Sequence, residues 1–159
     1  MVNWPQPPIR TERGFTLIEL MIVLVILAVL TIVAMPSFRG FIIEQRSRAT
    51  LVDLRIALMT ARSEAIKRNR KVLVTPAAGG WQEGWKIVNP DASEPDILEH
   101  AQSGSADIAI TVTGSSVGFS PSGRAAEPVT FTVIVGSGTE SLTRCLKLKP
   151  GGYMDDNCA

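Results

Sequence analysis

Residues 20–35 read LMIVLVILAVLTIVAM, an apolar run whose one polar side chain is Thr31. With Phe15, Leu17 and Ile18 added, interrupted by Thr16 and Glu19, the stretch from Phe15 to Met35 reaches 21 residues. A helix needs about 20 predominantly apolar residues to span a bilayer core. A cleaved secretory signal would carry a small-residue site after the run, and Ala34-Met35-Pro36 is a poor one. A buried core helix is seldom apolar on all sides. A membrane helix fits best. Charge does not orient it, because Arg10 and Arg13 precede the span while Arg39, Arg46 and Arg48 follow it closely. Glu19 is the anomaly. A carboxylate in such a run costs about 3 kcal/mol and marks a functional residue with a partner, unless it lies near enough to the interface to stay hydrated.

Beyond the run the 3.6-residue period continues. Pro36 and Gly40 weaken the helix without ending it. Leu51, Leu54, Leu58, Ala61 and Ala65 form a stripe that Val52, Ile56, Met59 and Ile66 widen. Arg48, Arg55 and Arg62 recur every seven residues along its flank, and Glu44–Arg48 and Glu64–Arg68 are favourable four-residue pairs. One helix from Phe15 to about Lys71 would be roughly 85 Å long. After it come short branched runs at 72–75, 84–88, 108–112, 129–135 and 142–148, separated by Gly-, Pro- and Asn-rich turns. Ile108, Ile110 and Val112, like Phe131, Val133 and Val135, alternate with their neighbours, predicting a sheet with one face buried against the helix. Trp81 and Trp85, four apart, should share a strand face and anchor the sheet. The fold class is α+β, with a long N-terminal helix packed on an antiparallel head.

Charge is divided. Residues 39–71 hold nine bases against three acids, and residues 72–159 hold five bases against ten acids. Such separation points toward neighbours. Cys145 and Cys158 fit neither a redox Cys-x-x-Cys motif nor a zinc site; in an exported head they would close a short disulfide loop, and in a reducing compartment they would be two thiols. The sole histidine, His100, reads as an exposed strand-end residue. There is no phosphate loop and no metal-spaced cluster. Gly118-Phe119-Ser120-Pro121-Ser122 lacks the final glycine of a nucleophile elbow. Neither an enzyme nor a cofactor or metal protein is expected.

Arg13-Gly14-Phe15-Thr16-Leu17-Ile18-Glu19-Leu20 resembles the prepilin peptidase site of type IV pilins and type II secretion pseudopilins. The resemblance implies cleavage between Gly14 and Phe15, N-methylation of Phe15, and an assembly role for Glu19 against a neighbour's N-terminal amine. It also places Pro36 at the pilin helix kink. The implied division is a leader over 1–14, a membrane or filament-core helix over 15–38, an amphipathic continuation over 39–71 and a β-rich head over 72–159. Ala61-Arg62-Ser63-Glu64-Ala65-Ile66-Lys67-Arg68-Asn69, Trp81-x-x-Gly84-Trp85 and Phe119-x-Pro121-x-Gly123 further resemble the GspH/FimT family of minor pilins and pseudopilins. Its head is a β-sandwich-like pair of sheets.

The function so implied is a minor type IV pilin that starts or caps assembly. It would be single-pass in the bacterial inner membrane with a periplasmic head, and later enter the filament. Its partners would be other pilins, inner-membrane assembly proteins and the prepilin peptidase. A type II secretion pseudopilin is the alternative; the cysteine pair favours the pilus. A DNA-binding pilin for transformation is the third reading. Lys67, Arg68, Arg70 and Lys71, with Lys147 and Lys149, would supply a phosphate patch. Against it, cations at a helix C-terminus complement its dipole, and no aromatic is interleaved among them. DNA-binding relatives carry Gly-Arg-x-Arg where this chain has Gly151-Gly152-Tyr153-Met154.

Overall fold

A computed structural model describes residues 14–102, 107–114 and 117–157, without the side chains of 33–37. The chain forms two compact units, residues 1–38 and 39–159. Helix α1 (Leu17–Arg68) begins in the first and continues in the second.

In the first unit the apolar residues from Phe15 to Ile32 are exposed around the whole helix. Thr31, the polar exception, donates its hydroxyl to the Ala28 carbonyl at 2.8 Å, the local bond that makes a hydroxyl tolerable in apolar surroundings. Among the described residues no helix is long and apolar enough to cross a membrane. The apolar sequence itself continues to Met35, past the last described side chain before the gap, Ile32. The helix includes Pro36 and Gly40. Pro36 falls among the undescribed side chains, so its kink lies outside the described residues.

In the second unit α1 ends at Arg68. Asn69 adopts φ 51°, Arg70 N–H bonds the Ala65 carbonyl and Asn69 N–H the Ile66 carbonyl. This is a Schellman stop with asparagine in the left-handed position. Eight strands are described: β1 (Val72–Ala77), β2 (Gly80–Val88), β3 (Leu98–Ala101), β4 (Ile108–Thr113), β5 (Val117–Phe119), β6 (Val129–Ser137), β7 (Glu140–Leu148) and β8 (Met154–Asp155). They make two antiparallel four-stranded sheets, ordered β3-β2-β1-β5 and β4-β6-β7-β8. The alternation expected on β4 and β6 is observed, with Ile108, Ile110, Phe131, Val133 and Val135 turned inward. Leu54, Leu58, Ala61 and Ala65 of α1 join Val74, Ile87 and Phe119 of one sheet and Phe131 and Leu146 of the other in one core. Cutting Leu58, fully buried, to alanine would cost about 2–5 kcal/mol.

The structure corrects the sequence reading in several places. Val52, Ile56, Met59 and Ile66 do not widen the buried stripe, since each stays about half exposed. The buried face instead extends through Ala57 and the polar Ser47 and Thr50; Thr50 accepts a 3.1 Å bond from Gln102 Nε2. His100 is not a loose strand end. It lies opposite Trp85 across β2 and β3 and stacks on it at 4.5 Å. The two tryptophans have different tasks. Trp85 is sealed in the core, whereas Trp81 meets Phe131 of the other sheet edge-on at 5.3 Å. Between them Gly84 takes φ +134°, and an added Cβ would collide with the His100 carbonyl. The irregular register, with Trp85 opposite Pro76 but Gly80 opposite Ala77, absorbs the extra residues.

The charge division also finds its partners within the unit. Arg46 meets Asp107 at 3.5 Å, Arg55 meets Asp156, and Arg68 lies 3.9 Å from Glu94. Bases of the helix thus face acids of the head, and the separation serves intramolecular docking where the sequence had suggested neighbours.

Candidate functional site

Three clusters carry the residues singled out above. The first is the helix start. Gly14, Phe15 and Thr16 precede α1 and lie outside any helix or strand. Nothing lies within 4 Å of the position a Gly14 Cβ would take. The Thr16 hydroxyl accepts a 3.2 Å bond from the Glu19 N–H, so Thr16 is the N-cap and Glu19 the third helical residue. Thr-x-x-Glu is the capping-box spacing, a signal present in the sequence that the membrane reading passed over. The Glu19 carboxylate is exposed and has no ion-pair partner among the described residues.

The second cluster is the clasp between α1 and the tail. The seven-residue arginine series resolves into three tasks. Arg48 bonds Glu44 of its own helix at 2.6 Å, and Glu44 also faces Arg144 of β7 at 3.6 Å. Arg55 pairs with Asp156. Arg62, part-buried, donates to the Gly152 carbonyl at 2.8 Å. Gly123 (φ +74°) and Gly152 (φ +79°) close around the Arg62 guanidinium, where a Cβ on either would come within 3.1 Å of its Nε. Within the tail, the Asn157 N–H and then Lys149 hold the Asp155 carboxyl below its usual range. Asp155 in turn raises Lys149, whose Nζ it meets at 2.9 Å and which also sits 5.3 Å from the Tyr153 ring. Cys145 Sγ lies 3.5 Å from the Asp156 carbonyl oxygen. The Cys145–Cys158 pairing involves Cys158, which lies outside the described residues.

The third cluster is the basic segment after Ile66. Arg68 donates to Glu64 at 2.7 Å and to Asn89 at 3.2 Å, and Lys67 reaches Glu64 at 3.4 Å. The Arg68 bond holds the Glu64 carboxyl below its usual range. Arg68 and Lys149 are thus engaged in ion pairs. Arg70, Lys71 and Lys147 form none among the described residues. Among the described residues no three of His, Cys, Asp and Glu gather as a metal site.

A capped apolar helix start, continued into a helix that packs on two antiparallel sheets, defines a pilin-like subunit. The comparisons with known proteins agree. The prokaryotic N-terminal methylation motif matches residues 9–35, and the family described as type II transport protein GspH matches residues 52–152. The chain belongs to this GspH family of type IV pilin-like proteins. It is 33% identical over 143 residues to pilin-like protein PilA1 of Thermus thermophilus, covering 80% of this chain and 88% of that one. The crystal structure of the Pseudomonas aeruginosa type IV minor pilin FimU superposes with a TM-score of 0.60 at 17% identity, over 72% of this chain and 90% of that one. A second crystal form gives 0.55, also at 17% identity, over 68% and 90%. The two FimU structures share the fold. Family and fold are those of structural pilins, and the methylation motif is that of a membrane-anchored prepilin.

Proposed function

We propose that the chain is a minor type IV pilin, a non-enzymatic subunit that binds no cofactor and helps to start or cap pilus assembly. The observation that carries this reading is Glu19, an exposed carboxylate with no ion-pair partner among the described residues, on the first turn of an apolar helix and within a matched methylation motif. In this reading peptidase cleavage between Gly14 and Phe15 frees an amine that is then methylated. The helix anchors the subunit in the inner membrane with the head in the periplasm. Glu19 meets the Phe15 amine of an adjacent subunit as the helix enters the filament. A buried carboxylate is tolerable when paired, and breaking such a pair costs about 3–5 kcal/mol.

The test is Glu19→Ala, expressed at wild-type level, followed by fractionation of sheared pili from inner membrane. The variant should insert into the membrane and be cleaved, yet be depleted from pili. Wild-type entry into pili would overturn the assembly role of Glu19.

The description of the matched family supports a second reading, a pseudopilin of a type II secretion machine. A deletion strain separates the two, through lost piliation in one case and lost protein secretion in the other. DNA capture has less support. Arg68 and Lys149 serve ion pairs, and duplex binding should be weak and vanish at physiological salt.

A further inference from the structure

A groove of about 270 Å³ opens beside the first turns of α1 in the second unit. Arg39, Ile42, Ile43 and Arg46, one face of the helix, form one wall, and the β6–β7 turn with Glu140 and Asp107 forms the other. Its charges are unsatisfied in an informative way. Among the described residues Arg39 and Glu140 have no ion-pair partner, and Arg46 and Asp107 meet only at 3.5 Å with both side chains about half exposed or more. The other nearby bases, Arg48 and Arg144, share Glu44 and do not line the groove. One cavity therefore offers an unpaired guanidinium, an unpaired carboxylate and an apolar floor.

Position adds a constraint. Arg39 is the fourth residue after Met35, the last of the apolar run, so the backbone cannot carry Arg39 more than about 14 Å from its end. Resting on the membrane-anchored reading above, we infer that this groove holds the headgroup of a zwitterionic phospholipid bearing a primary ammonium, of the phosphatidylethanolamine type. Arg39 and Arg46 take the phosphate, for which planar guanidinium forks are suited. Glu140 and Asp107 take the ammonium, and Ile42 and Ile43 lie against the glycerol end. A purely anionic headgroup would leave both carboxylates facing its charge. A choline headgroup has no N–H to donate to them. Basic pockets beside a membrane helix are a recognised way of holding lipid headgroups; here the acids set the choice among lipids.

The experiment uses the full-length processed chain in detergent micelles. Dioleoyl phosphatidylethanolamine, phosphatidylglycerol and phosphatidylcholine are titrated separately, and retained lipid is counted by native mass spectrometry. One phosphatidylethanolamine should be retained per chain, about tenfold better than either other lipid. Arg39→Gln, which removes no ion pair among the described residues, should abolish that preference while circular dichroism stays unchanged. Glu140→Gln should shift the preference toward phosphatidylglycerol. Equal retention of the three lipids, or indifference to both variants, overturns the assignment while leaving the membrane anchor standing. A processed chain that fails to enter vesicles of any composition overturns the anchor, and the lipid assignment with it.

Discussion

Gly152 can be tested against Gly138, because the two glycines share a conformation and differ in their surroundings. Both lie at positive φ, +79° and +63°, but nothing lies within 4 Å of a Gly138 Cβ, whereas a Gly152 Cβ would overlap the Gly123 carbonyl oxygen and crowd Arg62. Gly138→Ala therefore measures the left-handed backbone alone, about 1–2 kcal/mol. Gly152→Ala adds displacement of the tail, and with it the part-buried Arg62–Gly152 bond at 2.8 Å. A hydrogen bond from a charged donor contributes about 1.5–3 kcal/mol, which brings the total to about 2.5–5 kcal/mol. Urea unfolding of both variants and wild type in the same micelles, followed by the fluorescence of buried Trp85, measures the difference. Equal losses for the two variants would refute the clasp as a stabilising contact.

The mature protein should begin at Phe15 with a methyl group on its amine. Intact mass decides, and retention of residues 1–14 would contradict it. Cys145 and Cys158 should be recovered as one disulfide in non-reducing peptide maps, and reduction should cost on the order of 3 kcal/mol for a loop of this size. Glu64, held below its usual range chiefly by its bond to Arg68, contributes stability that is present above its unfolded value and lost as pH falls through its folded one. Glu64→Gln should therefore flatten the acid side of a stability–pH curve; an unchanged slope would show that the pair contributes nothing there.

Much of the fold could be read from periodicity. The helix and β1, β2, β4, β6 and β7 are long enough for alternation or branched runs to identify them. Strands β3, β5 and β8 are not. β5 is three residues whose glycine is set by contact, since a Gly118 Cβ would press on Leu73 of β1. β8 is two residues held by register with Lys147 and Leu148. The exposed flank of α1 was misread because Val52, Ile56 and Met59 are apolar at helical spacing, and hydrophobicity alone cannot say which of two apolar faces the sheets will cover. The arginine series was visible, but its partners were not. Asp156 and Gly152 lie 101 and 90 residues from Arg55 and Arg62, and no local pattern announces a contact at that separation. The helix start was the reverse case, because Thr16 and Glu19 stood three apart in plain view.

That small turn changes the thermodynamics of docking. A side chain on a frayed helix end must surrender backbone and rotamer freedom when it meets its partner, roughly 1–2 kcal/mol for each backbone residue fixed. The Thr16 hydroxyl, which accepts from the Glu19 backbone N–H, settles the backbone share of that ordering when the helix forms. Glu19 is thus presented as a preorganised group, and Thr16→Val should weaken capture by slowing the productive encounter while leaving the carboxylate itself untouched.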